Sequence, residues 1–284
     1  MFEKALIGTD FSPPADRLTR HALELTDWGV REIVLAHVIE SPDRARLARE
    51  LLETETELLR EREAQLRGQG IEARALIEVG SPGEVLRKMC EKENPSLVVV
   101  GSHGKGLWKR ALLGSTSDAL MRASRWPLLL VRLALLEEEP PPERLFDARA
   151  VLYPTDFSAN AAAVLRYLKK LPGLERVTLL HVHERTRIEP HLIDRLAEFD
   201  RIDRERLGLI RGELSGAGVA EVEIQVQLGD ATRSILDWSE QGKFTLVALG
   251  LRGRTLLDDF FIGSVAANLS RYASLPLLLV PQRA

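Results

Sequence analysis

Ala5-Leu6-Ile7-Gly8-Thr9-Asp10-Phe11-Ser12 stands near the beginning of the chain, and Val151-Leu152-Tyr153-Pro154-Thr155-Asp156-Phe157-Ser158 stands 146 residues later. Each is a short apolar run that breaks into Thr-Asp-Phe-Ser. Further pairs follow in the same order. His37-Val38 returns as His181-Val182, and Gly101-Ser102-His103-Gly104 as Gly250-Leu251-Arg252-Gly253. Gly114-Ser115 returns as Gly263-Ser264, and the run from Pro127 to Val131 as Pro276 to Val280. The offsets are 146, 144 and then 149 for the last three pairs, a drift that loop-length changes between two copies of one domain would produce. The boundary falls in Glu137–Glu143, where glutamates and three prolines cannot build a core and predict an extended spacer. The expected organisation is a first domain over 1–136, a linker over 137–147 and a second domain over 148–284.

Within each copy the order is strand, helix, strand, repeated until five strands are laid down. Apolar runs near 4–8, 33–39, 73–78, 96–101 and 127–132 are short and unalternating, as strands buried on both faces of a parallel sheet must be. The second copy repeats them near 149–154, 176–182, 221–227, 245–250 and 276–280. Residues 43–67 carry leucines at helical spacing with charge on the other face. Ser81-Pro82-Gly83-Glu84 has the form of a helix start, with Ser as cap. Strands alternating with helices predict α/β domains with an open parallel sheet between two helical layers, twice in tandem.

Composition narrows the function classes. Of the 284 residues 45% are hydrophobic and 29% charged, and Lys+Arg 39 against Asp+Glu 42 leaves a net charge of −3. No basic excess points to a nucleic-acid partner. The single cysteine, Cys90, excludes an internal disulfide framework and a cysteine-only metal site. Met1–Ser12 lacks the run and flanks of a signal peptide, and Pro127–Leu136, broken by Arg132, is too short to span a bilayer. A cytoplasmic protein without a membrane partner is expected.

In open parallel sheets, ligands bind beyond the carboxyl ends of the strands. Three segments of each copy should meet there. The first is the turn after the first strand, Gly8-Thr9-Asp10 and Pro154-Thr155-Asp156. The second follows the second strand, at Val38-Ile39 and Val182-His183. The third is the glycine-rich stretch after the fourth strand. In copy one the third segment runs from Val100-Gly101 through His103 and Gly104, across nine residues, to Gly114-Ser115-Thr116-Ser117. In copy two it runs from Leu249-Gly250 through Arg252 and Gly253, again across nine residues, to Gly263-Ser264-Val265-Ala266. Glycine permits positive φ and close approach of a ligand to the backbone. Gly-Ser at a helix entrance offers unpaired N–H groups, a hydroxyl and the positive helix end, which together suit an anion. Neither G-x-x-x-x-G-K-[ST] nor, in the first turn, G-x-G-x-x-G occurs.

At these residues the chain resembles a tandem universal stress protein of the subgroup that binds ATP, whose motif G-x2-G-x9-G-[ST] both copies match. The resemblance covers all but the linker. It implies Rossmann-like domains of strand order 3-2-1-4-5 and bound ATP. Asp10 and Asp156 with their neighbours would hold the nucleoside end. The glycines with Ser115 or Ser264 would hold the phosphates, with Mg²⁺ bridging phosphate oxygens. It further implies that the apolar fifth strands, 127–131 and 276–280, pair as an internal pseudo-dimer, with a homodimer of chains a further option. The role it implies is a nucleotide-dependent sensor or regulator in stress response that passes its state to a protein partner. A slow ATP-hydrolysing or adenylyl-handling enzyme, and a nucleotide-free interaction module, are the alternatives.

The copies differ in charge. His103, Lys105, Lys109 and Arg110 make the first loop basic, whereas Asp258 and Asp259 offset Arg252 and Arg254 in the second. No residue type in either motif is an evident positioner of a hydrolytic water, so turnover is expected to be slow or absent. Simpler roles compete at several residues. Asp10 and Asp156 could cap the first helix of each copy. His181-Val182-His183, with His191 nearby, shows no third metal ligand of matching spacing, and no metal site is expected. Cys90, Trp28, Trp108, Trp126 and Trp238 are expected to pack.

Overall fold

Leucine, valine and isoleucine side chains at about zero exposure, each worth about 1.5–3 kcal/mol of burial, set the strand positions. The structure, a computed structural model, describes residues 1–40, 47–102, 113–133, 136, 143–184, 195–252 and 262–282. It divides into two units, Met1–Phe146 and Asp147–Ala284. In the first, β1 (Lys4–Thr9) pairs in parallel with β2 (Glu32–Ile39) and β4 (Leu97–Gly101). Outward from these lie β3 (Glu72–Val79) on β2 and β5 (Leu128–Val131) on β4, giving the order 3-2-1-4-5.

The second unit repeats the order. β6 (Ala150–Pro154) lies between β7 (Arg176–Glu184) and β9 (Leu246–Gly250), with β8 (Glu221–Gly229) on β7 and β10 (Leu277–Val280) on β9. Every one of these pairs is parallel, so each unit is the expected Rossmann-like α/β domain. The strand positions agree with those read from the apolar runs to within a residue or two.

The helices of the first unit are α1 (Pro13–Arg20), α2 (Leu47–Gly68), α3 (Pro82–Glu93) and α4 (Ser115–Ala123), with a 3-10 stretch, His21–Trp28, continuing α1. Those of the second are α5 (Ala159–Leu168), α6 (Leu196–Gly216), α7 (Ala231–Ser239) and α8 (Ser264–Tyr272). Pro82 opens α3 as the sequence predicts. Ser81 stands at the cap position, but its side chain makes no capping bond, so the expected cap is one of position only. Cys90 is fully buried, and burial, helped by nearby Glu91, pushes its thiol pKa up to about 12. That makes it an inert packing group. Trp28 packs on Phe2, and Trp238 on Phe244, at ring distances of 6.0 and 6.4 Å. Trp108 lies outside the described residues.

The first unit reaches further than the expected boundary at 136. Leu145 and Phe146, inside the stretch expected to be spacer, are buried. Their backbone N–H groups both donate to Glu24 Oε2 at 2.8 Å, and Trp28 Nε1 donates to the Phe146 carbonyl at 3.2 Å. These bonds through the backbone of Leu145 and Phe146 fasten the end of the unit to the 3-10 stretch. Partial burial alone would raise the Glu24 pKa. The bond to His21 at 2.6 Å and the two N–H donors outweigh it, and the net shift is downward.

A carboxylate lowered in the folded state adds stability above its unfolded pKa and loses it as pH falls through the folded value. Glu24→Ala should therefore lower stability by about 1–3 kcal/mol at neutral pH, through two unpaired N–H groups. The deficit should shrink as pH falls below the ordinary glutamate range. Denaturant unfolding of both proteins at neutral and acid pH checks it, and an equal deficit at both would contradict this role for Glu24.

Candidate functional site

In a parallel sheet every strand ends on the same edge, where the following helices begin. β1 and β6 both end there in a turn of one design. Thr9 Oγ1 accepts the Phe11 N–H at 3.3 Å, and Asp10 Oδ1 accepts the Ser12 N–H at 3.0 Å. In the second unit Thr155 accepts from Phe157 at 3.1 Å, and Asp156 from Ser158 at 2.9 Å. Phe11 and Phe157 take φ of 56° and 60°, left-handed values that cost a bulky side chain of order 1–3 kcal/mol. The helix caps are the serines: Ser12 Oγ accepts from Ala15 N, and Ser158 Oγ from Ala161 N. The capping role weighed for Asp10 and Asp156 thus belongs two residues later. The aspartates instead close the turn in front of the helix.

One histidine braces each turn from the neighbouring strand. His37 Nδ1 and His181 Nδ1 lie 2.8 Å from the carbonyls of Thr9 and Thr155. Their rings lie 4.5 and 4.6 Å from those of Phe11 and Phe157. Both histidines also face a carboxylate from the next helix, Glu55 at 3.0 Å and Asp203 at 3.5 Å. The repeated His-Val pair therefore has a structural purpose that spacing alone did not disclose.

Gly101 and Gly250, the first glycines of the motif, are absent from the positive-φ residues. Gly114 and Gly263 have φ of −63° and −61° as N-caps of α4 and α8. Freedom to take positive φ is thus not what these four supply. A Cβ on Gly250 would lie 2.9 Å from Asn160 Cβ and 3.0 Å from its carbonyl carbon, so β9 needs glycine to let α5 approach. A Cβ on Gly101 would meet side-chain atoms instead, the Cγ and both Cδ atoms of Leu133 at 2.7–2.8 Å. The N–H groups of Gly114 and Gly263 donate to Ser102 and Leu251 carbonyls at 2.7 and 3.0 Å. The open donors at the helix entrance are therefore those of the next three residues: Ser115, Thr116 and Ser117 in α4, and Ser264, Val265 and Ala266 in α8. The Ser117 hydroxyl, which has no counterpart at Ala266 of the second copy, donates to the Gly101 carbonyl at 2.6 Å.

In the second unit these pieces enclose a cleft of about 490 Å³. Pro154, Thr155, Asp156, Val182, Leu249, Gly250, Arg252, Gly263, Ser264, Val265 and Ala266 all line it; Gly253 lies outside the described residues. His183, which follows Val182 in the expected segment, shares the wall, and so do Ala161, Leu180, His181, Glu184, Ala231, Ile235 and Ile262, which the sequence reading did not include. Ala231 and Ile235 reach it at helical spacing from α7, an element with no recognisable motif. In the first unit Gly8, Thr9, Asp10, Val38, Val100, Gly101, Gly114, Ser115, Thr116 and Ser117 occupy the matching strand ends and helix start. His103 and Gly104 lie outside the described residues, as do Lys105, Lys109 and Arg110 and, in the second loop, Arg254, Asp258 and Asp259.

The universal stress protein family matches residues 1–132 and 148–281. The chain belongs to that family. A universal stress protein of Methanocaldococcus jannaschii, MJ0577, is 28% identical over 155 residues, covering 46% of this chain and 96% of its own. Universal stress protein Rv2319c of Mycobacterium tuberculosis is 26% identical over 208 residues, 69% of this chain and 68% of its own. The crystal structure of a universal stress protein from Archaeoglobus fulgidus superimposes with a TM-score of 0.74 at 24% identity, over 100% of both chains. That likeness concerns the fold. Family membership carries a role in stress response. Among the described residues, no helix is long and apolar enough to cross a membrane.

Gly250→Ala should cost about 1–3 kcal/mol, because backbone of α5 must move. Gly101→Ala should cost less, because a leucine side chain can yield. Thermal unfolding of the two variants compares them directly, and an equal or reversed ranking would refute the packing account of these glycines.

Proposed function

We propose that this universal stress protein binds ATP with Mg²⁺ in the cleft of the second unit, as a nucleotide-dependent regulatory module of stress response that signals to a protein partner. The observation that carries the reading is the wall of the cleft. Part of it is the start of α8, with the N–H groups of Ser264, Val265 and Ala266 and the Ser264 hydroxyl, and Arg252 also lines the cleft. The same wall holds the Thr155–Asp156 turn, Val182 and the apolar residues Leu180 and Ile235. A helix entrance with a cation on the same wall suits phosphates. Mixed polar and apolar lining suits a ribose and base. The cleft volume lies within the range of about 300–1,000 Å³ that small-molecule sites occupy.

Mg²⁺ enters in this reading as the partner of the phosphates, supplying charge neutralisation between their oxygens. Ser264, which lines the cleft, is the side chain that would hold it. The first unit repeats the turn, the bracing histidine and the open helix entrance, so a second ATP per chain is part of the same reading. Ser115 takes the place of Ser264. Binding rather than turnover is the role assigned to both sites.

Ser264→Asp separates this reading from a nucleotide-free module. A carboxylate at the first position of α8 suits the helix end and leaves the fold intact. It would meet the phosphates as a like charge, a clash worth several kcal/mol. Calorimetric titration of nucleotide-stripped protein with Mg·ATP should show saturable binding approaching two ATP per chain. Ser264→Asp should remove the second-unit site, Ser115→Asp the first, and the double variant both. No binding by the parent chain at millimolar Mg·ATP, or unchanged binding by the double variant, would overturn the proposal.

A further inference from the structure

We propose that the second unit carries a site for a divalent transition-metal ion of the zinc type. Its ligands are His181 Nε2, His183 Nε2 and Asp203 Oδ2, with Asp200 Oδ1 as the fourth. The two histidines lie two apart on β7, so strand alternation turns them to one side. The two aspartates lie three apart on α6, so helical periodicity turns them to one face. The packing of α6 over the sheet brings the pairs together. One ligand atom from each of His181, His183 and Asp203 falls within 4.8 Å of the others. His181 Nε2 is 3.5 Å and His183 Nε2 3.7 Å from Asp203 Oδ2, and His183 Nε2 is 3.0 Å from Asp200 Oδ1. Tetrahedral zinc with bonds of about 2.0–2.2 Å needs ligand separations of about 3.3 Å. Side-chain adjustments close the difference.

Three further observations favour an ion over a plain polar cluster. His181 Nδ1 lies 2.8 Å from the Thr155 carbonyl, which can only accept, so Nδ1 carries a hydrogen and Nε2 is the nitrogen left to ligate in a neutral ring. A backbone carbonyl behind the ring is the usual orienting partner of a metal-binding imidazole. His183 Nε2 is wholly buried and, despite the aspartates beside it, aligned for a hydrogen bond with neither. A buried nitrogen in that state incurs a desolvation cost that a metal bond would remove. Asp203 is also oriented. Its Oδ1 lies 3.2 Å from Arg206 Nη1, while the Arg206 guanidinium sits 3.8 Å over the Phe157 ring, so Oδ2 is the oxygen turned to the imidazoles. Two imidazoles and two carboxylates select an ion of the zinc, cobalt or nickel kind over magnesium or calcium.

The first unit supplies the natural comparison. His37 keeps the turn contact and a carboxylate, Glu55, but the position of His183 is held by Ile39. The site therefore belongs to the second unit. His181 and His183 also line its cleft, which places the ion at the cleft wall.

The test uses the full chain, freed of metal with a chelator and kept free of nucleotide, so that its outcome is independent of ATP binding. Titration with Co²⁺ should give the intense visible absorption of a four-coordinate ion at one equivalent per chain, and Zn²⁺ should displace it. His183→Ile, which copies the first unit, and the isosteric Asp203→Asn should each weaken binding by about 100-fold or more. His37→Phe should leave it unchanged. No Co²⁺ absorption and no Zn²⁺ uptake by the parent chain would overturn the proposal. So would retention of the parent affinity by His183→Ile or by Asp203→Asn.

Discussion

Burial of both faces of a five-stranded parallel sheet is the constraint on which the rest of each unit depends. Ala5, Leu6 and Ile7 of β1, and Val151, Leu152 and Tyr153 of β6, are wholly enclosed, so helices must cover the sheet above and below. Parallel strands then require every connection to cross back over a face. As a result all strand carboxyl ends and all helix starts gather on one edge. That edge is the part of the domain where backbone donors and acceptors are left without regular partners. The polar residues of both copies accumulate there because the interior cannot hold them.

The edge is kept in shape by a device that recurs in both units. A left-handed phenylalanine is held between a threonine and an aspartate that accept turn N–H groups, while a histidine from the adjacent strand supports the threonine carbonyl. Backbone strain at Phe11 and Phe157 is thus overcome by local hydrogen bonds and ring contact. Tyr153 adds an anchor to the second unit: its hydroxyl donates to the Ala161 carbonyl at 2.6 Å, and burial raises its pKa.

From this common frame the two units have moved apart. At the fourth strand the first unit tolerates a neighbour's side chain beside Gly101, whereas the second brings backbone of α5 against Gly250. At the second strand, Ile39 of one copy is His183 of the other. At the helix entrance a serine hydroxyl of the first copy turns back to its own strand, and the second copy has alanine there. Each difference is a single side chain, and each alters chemistry at the same edge without disturbing strand order. Duplication has left one scaffold with two separately adjustable strand-end edges.

By itself the sequence determined the strands, their number and the doubling, because buried parallel strands need short, unalternating apolar runs and a repeat declares itself by order and spacing. It also located the glycine-rich entrances of α4 and α8. Only the tertiary structure decided what the residues there do. That Gly250 is needed by Asn160, that Ser158 rather than Asp156 caps α5, and that the Ser117 hydroxyl faces inward are questions of direction, which spacing does not carry. The same holds for Leu145 and Phe146, whose attachment to Glu24 and Trp28 spans more than a hundred residues of chain. Asp203 lies twenty residues from His183 and became its neighbour only when α6 packed on the sheet. Periodicity along a chain reports which face a residue occupies; which groups from separate elements meet is settled by how those faces pack.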